Sequence, residues 1–222
     1  MGNYLNQDGK KFYEITHSDI YVDKTELLTY TNSVLQTLQK YICISRPRRF
    51  GKSITASMIA AYYSRGCDSR EMFQELKIAK HTDFEKHLNQ YNVIHLNMRD
   101  YLTESENMKQ LIQFVEEDLL DELQQEFADL RMPRRRTLVK VLEQAFAQYK
   151  IPFVFIIDEW DCIFRVHKSD AASQKTYLDF LRNLLKDKSY IALAYMTGIL
   201  PIKKYGEHSA INAFYEYPMT DE

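Results

Sequence analysis

The apolar positions of this chain follow two recurring patterns. Four short runs are apolar almost throughout: Tyr41 to Ser45 (YICIS), Val93 to Met98 (VIHLNM), residues 153–159 (FVFIIDE) behind Pro152, and Ile191 to Thr197 (IALAYMT). Runs of that length, rich in β-branched residues and lacking alternation, predict strands buried on both faces. Between them the apolar residues recur at helical spacing. Ile54, Met58, Ile59, Ala61 and Tyr62 predict a helix from Lys52 to Ser64, with Gly66 as its stop. Met108, Leu111, Ile112, Val115, Leu119, Leu123, Phe127 and Leu130 predict a longer one, opened by a capping box at Thr103 to Glu106 and broken at Pro133. Thr137 to Tyr149, and a run marked by Tyr177, Leu178, Leu181, Leu184 and Leu185, predict two more. Strands alternating with helices predict an α/β domain with a mostly parallel sheet covered on both faces. Residues 1–40 precede it as an N-terminal segment.

The first strand and helix enclose the stretch ISRPRRFGKS, residues 44–53. Its end, Gly51-Lys52-Ser53, is the closing half of the phosphate-loop pattern G-x-x-x-x-G-K-[ST]. Strand, loop and helix are the context such a loop needs, because backbone N–H groups and the helix N-terminus then face an anion. Phe50, Gly51, Lys52, Ser53 and Ile54 are therefore the candidate nucleotide-binding residues. Lys52 is placed to reach the β- and γ-phosphates, and the Ser53 hydroxyl to ligate Mg²⁺. The opening glycine is replaced by Arg46, and Pro47 follows it. Proline fixes its own φ and favours extended geometry at the residue before it. Arg46 is thus expected to finish the strand, with Pro47 setting the turn.

A second constellation stands where the third strand ends, in FIIDEWD, residues 155–161. Ligand groups gather at the carboxyl ends of strands in open α/β sheets. Asp158 is the candidate magnesium residue, and Glu159 the candidate general base that polarises the attacking water. Thr197, ending the last strand, is a candidate contact to the γ-phosphate or that water. Asp161 reads as a surface or capping residue.

Composition narrows the partners. In 222 residues, 29 Lys and Arg oppose 31 Asp and Glu, so no global charge favours nucleic acid or an anionic membrane. Arg131, Arg134, Arg135, Arg136 and Lys140 form a local basic cluster after an acidic helix, read as charge balance or a solvated turn. Cys43, Cys67 and Cys162 lack metal spacing and read as buried or free thiols in a reducing compartment. His81, His87, His95, His167 and His208 show no metal spacing either. With neither a signal segment nor a membrane run, the expected location is cytoplasmic.

Four separated stretches, YVDKTELL (21–28), ISRPRRFGKS (44–53), FIIDEWD (155–161) and residues 196–219, together resemble the AAA-ATPase-like family. Its members often carry a PD-(D/E)XK nuclease-like domain after the ATPase region. The resemblance runs from about residue 10 to the end of the chain. It implies a three-layer P-loop NTPase core of the additional-strand type, in which another strand separates the Walker B strand from the P-loop strand. It carries phosphate binding to Lys52 and Ser53, metal duty to Asp158 and base duty to Glu159. A missing first glycine is typical of the family. The expected organisation is residues 1–40 packed on an NTPase domain at 41–222, truncated on its C-terminal side, with no nuclease-like motif.

The function expected is Mg²⁺-dependent ATP binding and hydrolysis by a switch or motor module. Two alternatives stay open: an interaction module that does not hydrolyse ATP, and nucleic-acid binding through the Arg131–Lys140 cluster. Beyond ATP, a second copy of the chain or a protein partner is the other partner to consider, and no membrane is expected.

Overall fold

The computed structural model describes residues 2–202 and 211–217. Five strands form one sheet: β1 Tyr41–Ser45, β2 Asn92–Asn97, β3 Phe153–Asp158, β4 Ile191–Gly198 and β5 Tyr215–Tyr217. Their order is β2-β3-β4-β1-β5, and every pairing is parallel. The α-helices are α1 Lys10–Thr16, α2 Glu26–Val34, α3 Lys52–Tyr63, α4 Arg70–Phe73, α5 Phe84–His87, α6 Met98–Glu104, α7 Met108–Glu126, α8 Leu138–Tyr149, α9 Cys162–Val166 and α10 Ala171–Leu185.

Alternate residues of β1 to β4 feed two separate cores. Ile42, Val93, Val154, Ile156 and Tyr195 pack with α3 and the N-terminal helices. Cys43, Ile94, Leu96, Phe155, Ile157 and Met196 pack on the other face with α7, α8 and α10. Three layers result, and all six residues of β3 are buried between them. One irregularity interrupts the alternation. The β3–β4 register passes from Phe153↔Ile191 to Val154↔Leu193, skipping Ala192, whose carbonyl accepts from the Gln36 N–H instead.

Several boundaries differ from the pattern reading, each for a local reason. Helix α7 is capped by Asn107, whose side chain accepts from the Gln110 N–H, and not by the Thr103 box. Thr103 lies inside α6, where its hydroxyl donates to the Arg99 carbonyl. Helix α7 also ends at Glu126, ahead of Pro133, although Phe127 and Leu130 remain buried beyond it. Gly66 is not the stop of α3, which ends at Tyr63. A Cβ at Gly66 would lie 2.2 Å from the Asn6 carbonyl oxygen, so glycine there admits the N-terminal chain.

Residues 2–34 are part of the packed body. Leu5 bridges Ile94 at the sheet edge, and Glu122 of α7 accepts from the N–H groups of Asn3, Tyr4 and Leu5. Phe12 of α1 is fully buried and stacks on Phe73 at 4.9 Å. Phe12→Ala should therefore cost about 3 kcal/mol through lost transfer energy and a cavity. Denaturant unfolding checks this: one cooperative transition with a lowered midpoint is expected. Loss of the N-terminal helices ahead of the main transition would show a segment only loosely attached.

Candidate functional site

Parallel strands present all their carboxyl ends along one edge, and the loops leaving β1, β3 and β4 meet there. The loop after β1 begins as an extension of the sheet. The Arg46 N–H donates to the Gly198 carbonyl, continuing the β1–β4 ladder one residue past Ser45. The Arg46 guanidinium donates to the Tyr217 carbonyl of β5 at 3.0 Å. The chain then turns through Pro47 and reaches Gly51 at φ 76°, the N-cap of α3. That left-handed conformation suits glycine and strains any residue with a Cβ. Gly51 contributes no capping side chain, and the first N–H groups of a helix have no intrahelical acceptor. The loop thus turns a helix N-terminus and its dipole toward the sheet edge.

Two lysines reach this loop. Lys52 Nζ donates to the carbonyls of Arg46, at 2.9 Å, and Pro47, at 2.8 Å, spanning the loop's first half. Lys24, from the stretch before α2, donates to the Phe50 carbonyl at 3.3 Å. Pattern reading passed over Lys24 because its partner lies 26 residues away, with no local periodicity linking them. The neighbouring residues anchor it. Asp23 accepts from the Thr25 hydroxyl and N–H, and from the Lys77 N–H. Ser53 and Ile54 sit exposed at the start of α3, and Phe50 is exposed beside Gly51.

At the end of β3 the Asp158 carboxylate is buried and faces the α3 layer, on the side of the sheet shared by Val154 and Ile156. Its Oδ1 accepts from the Thr197 hydroxyl of β4 and from the Glu159 N–H. Asp158 and Thr197 are therefore directly joined across the β3–β4 pair. Half-buried His95 of β2 lies in the same layer, its Nδ1 paired with Gln7 Oε1 at 3.2 Å. Burial lowers the His95 imidazole to about 4, with Asp158 opposing the shift and Lys11 adding to it, so the ring is neutral near pH 7.

Glu159 leaves the strand at φ 54°, in the left-handed region. Its carboxylate is ion-paired with Arg165 Nη2 of α9. Arg165 Nε donates to Asp161 Oδ2 at 3.1 Å, an oxygen that also accepts from the N–H groups of Ile199 and Leu200. Asp161 is fully buried, which corrects its reading as a surface residue. It occupies the N-cap position of α9 without a side-chain cap bond, and its carboxylate ties the β3 turn to the β4 exit. Burial works against the charge of Arg165, but Glu159 and Asp161 outweigh it and raise its pKa. The Asp161–Arg165 spacing of four residues was a readable signal for this pair.

A cleft of about 810 Å³ adjoins Gly51, walled by α1, the 18–24 stretch and the first turns of α3. Ile20, Val22, Phe50 and Ile54 expose apolar surface to it, and Lys24 and Arg49 stand at its rim. Elsewhere, Arg134, Arg135 and Arg136 are exposed in a turn, and Lys140 pairs with Glu143 of its own helix rather than with α7. His208 lies outside the described residues, as does much of the 196–219 stretch. Among the described residues no helix is long and apolar enough to cross a membrane.

A phosphate-type loop on β1, an acidic strand end on β3, and β4 between them define a P-loop NTPase fold of the additional-strand type. The family described as "Predicted AAA-ATPase" has a sequence model that matches residues 9–206, and the chain belongs to that family. It is an ATPase-type nucleotide-binding module. No curated protein matches it. Among solved structures it is similar to the Aeropyrum pernix ORC2 protein, determined as ADPNP-ADP complexes, at 9% identity and a TM-score of 0.44. That match covers 97% of this chain and 52% of the other, so the chain spans about half the length of ORC2.

Proposed function

We propose that this chain binds ATP with Mg²⁺ and hydrolyses it, acting as a switch or motor module. The observation that carries the reading is the convergence of three strand ends on one edge: the Gly51 loop, the Asp158–Glu159 pair and Thr197. The donor set fits a magnesium nucleotide. Gly51 holds its left-handed turn without a Cβ in the way of a phosphate, and an ammonium, a hydroxyl and a carboxylate stand on the elements around it. Magnesium would be held by Ser53 and Asp158, and would supply charge neutralisation to the phosphates.

The chain's own residues do the rest. Lys52 exchanges the Arg46 and Pro47 carbonyls for phosphate oxygens, trading neutral acceptors for charged ones. N–H groups from Phe50 to Ile54 bind the phosphates at the helix N-terminus. The 810 Å³ cleft is within the range of small-molecule sites, and its apolar wall would cover the base and sugar. Thr197 fixes the Asp158 carboxylate through its hydroxyl. Glu159 takes the proton of the attacking water as general base.

Phosphate release from Mg²⁺ATP, together with calorimetric titration of ATP, tests this reading. Turnover by the parent protein is expected, and Lys52→Ala should remain folded but lose most of its ATP affinity. Unchanged affinity in that variant would sink the phosphate-loop assignment. A non-hydrolysing module is the second reading, favoured by one observation: the Glu159 carboxylate is engaged by Arg165. Tight binding without phosphate release would select it.

A further inference from the structure

Behind the Glu159 turn lies a second concave surface. Arg48 of the loop, Arg99 in the first turn of α6 and Arg165 of α9 line a recess of about 400 Å³, with Leu102 and Val166 as apolar walls. Among the described residues, neither Arg48 nor Arg99 takes part in an ion pair, and both are exposed. Arg165 is shared between two carboxylates through different atoms: Nη2 serves Glu159 and Nε serves Asp161. Three guanidinium groups thus line the recess, and of these only Arg165 has carboxylate partners among the described residues.

We infer that this recess binds a phosphate-type oxyanion, and that its arrival draws Arg165 Nη2 away from Glu159, freeing that carboxylate. The regulatory half rests on Glu159 being the general base. Guanidinium forks match the oxygens of a phosphate group, ester or free, and its several anionic oxygens suit the two unpaired arginines better than a second carboxylate would. Arg165 need not leave its place, because its Nε bond to buried Asp161 anchors the side chain while the Nη edge changes partner. Glu159 also has reason to move once released. Its φ of 54° is costly for a residue with a side chain, and the ion pair is one of the contacts holding it there. Cys162 lines the recess too, but burial raises its thiol to about 12, so it is no nucleophile.

The chain's one tryptophan, Trp160, stands buried between Glu159 and Asp161 and reports on this turn. The full chain carrying Lys52→Ala, which removes the loop's own phosphate contact, is titrated with inorganic phosphate and separately with a single-stranded oligonucleotide. A saturable change in Trp160 emission is expected. A response to phosphate alone assigns a free anion, and a response to the oligonucleotide assigns a phosphodiester. Adding Arg99→Ala should weaken the response roughly tenfold, the loss of one charge-assisted contact. In the parent background, the same titrant should raise ADP formation, and should do so less when Arg99 is alanine. No emission change with either titrant, or an unchanged midpoint in folded Arg99→Ala, overturns the site. Emission change without any gain in turnover overturns the coupling to Glu159 and keeps the site. If Glu159→Gln hydrolyses ATP at the parent rate, the base assignment fails, while the emission result still decides the anion site.

Discussion

Gly51→Val should abolish ATP binding while leaving the protein folded. At φ 76° the residue sits where glycine is permitted and a β-branched side chain is a severe outlier. Space in the fold is not the main obstacle, since the nearest atom to an added Cβ is the mobile end of Lys24 at 3.2 Å. The cost falls on the loop itself, which must unwind from the left-handed turn, and on the phosphate, which must approach the backbone closely. Arg46→Gly provides the contrast at the other end of the loop. Arg46 continues the strand, and its guanidinium bonds the Tyr217 carbonyl at the β5 edge. Its replacement should change ATP affinity by no more than about 1 kcal/mol, mostly through added backbone freedom. Calorimetric titration of the two variants beside the parent decides the matter, with thermal melting as the check on folding. Equal losses would mean that Arg46 itself grips the nucleotide. A tenfold gain in Arg46→Gly would mark a degenerate loop repaired and favour the non-hydrolysing reading.

Glu159→Gln should keep ATP affinity and lose turnover by roughly 10²–10⁴-fold, the range for removing a general base. The amide retains the size of the carboxylate and can still meet Arg165, though as a weaker, neutral partner. The neighbouring Asp158→Asn should act differently. Its Oδ1 accepts from Thr197 and from the Glu159 N–H. The amide replaces one carboxylate oxygen with a donor, so magnesium-dependent binding weakens before turnover is considered. Single-turnover ADP formation at saturating ATP separates the two effects. Parent-rate hydrolysis by Glu159→Gln would remove Glu159 from the base role.

What could be read along the chain was whatever is encoded by neighbours in sequence. Four strands and four helices followed from runs and spacings, because a buried strand or an amphipathic face repeats every few residues. The expected three-layer parallel sheet followed from their alternation. Gly51, Lys52, Asp158 and Glu159 were legible as candidates because loop and strand-end chemistry is local. The strand order, by contrast, was not written in any one stretch; it came from the family resemblance, and the ladders β3–β4 and β1–β4 display it. Helix α1 escaped the reading because its buried face is Phe12 alone, and α2 because half of its buried face, Thr31 and Asn32, is polar. β5 escaped because three partly exposed residues carry no pattern.

Only tertiary structure decided the company each candidate keeps. Lys24 on the loop, Thr197 on Asp158, and the Ile199 and Leu200 N–H groups on Asp161 join residues from different elements. Their pairings depend on where the sheet brings strand ends together. The same holds for Asp161, exposed by its residue type and buried by its place. One oxygen of buried Asp161, Oδ2, accepts from a guanidinium and two N–H groups, and no spacing rule along a chain announces the two N–H donors, which arrive from the exit of a strand nearly forty residues away.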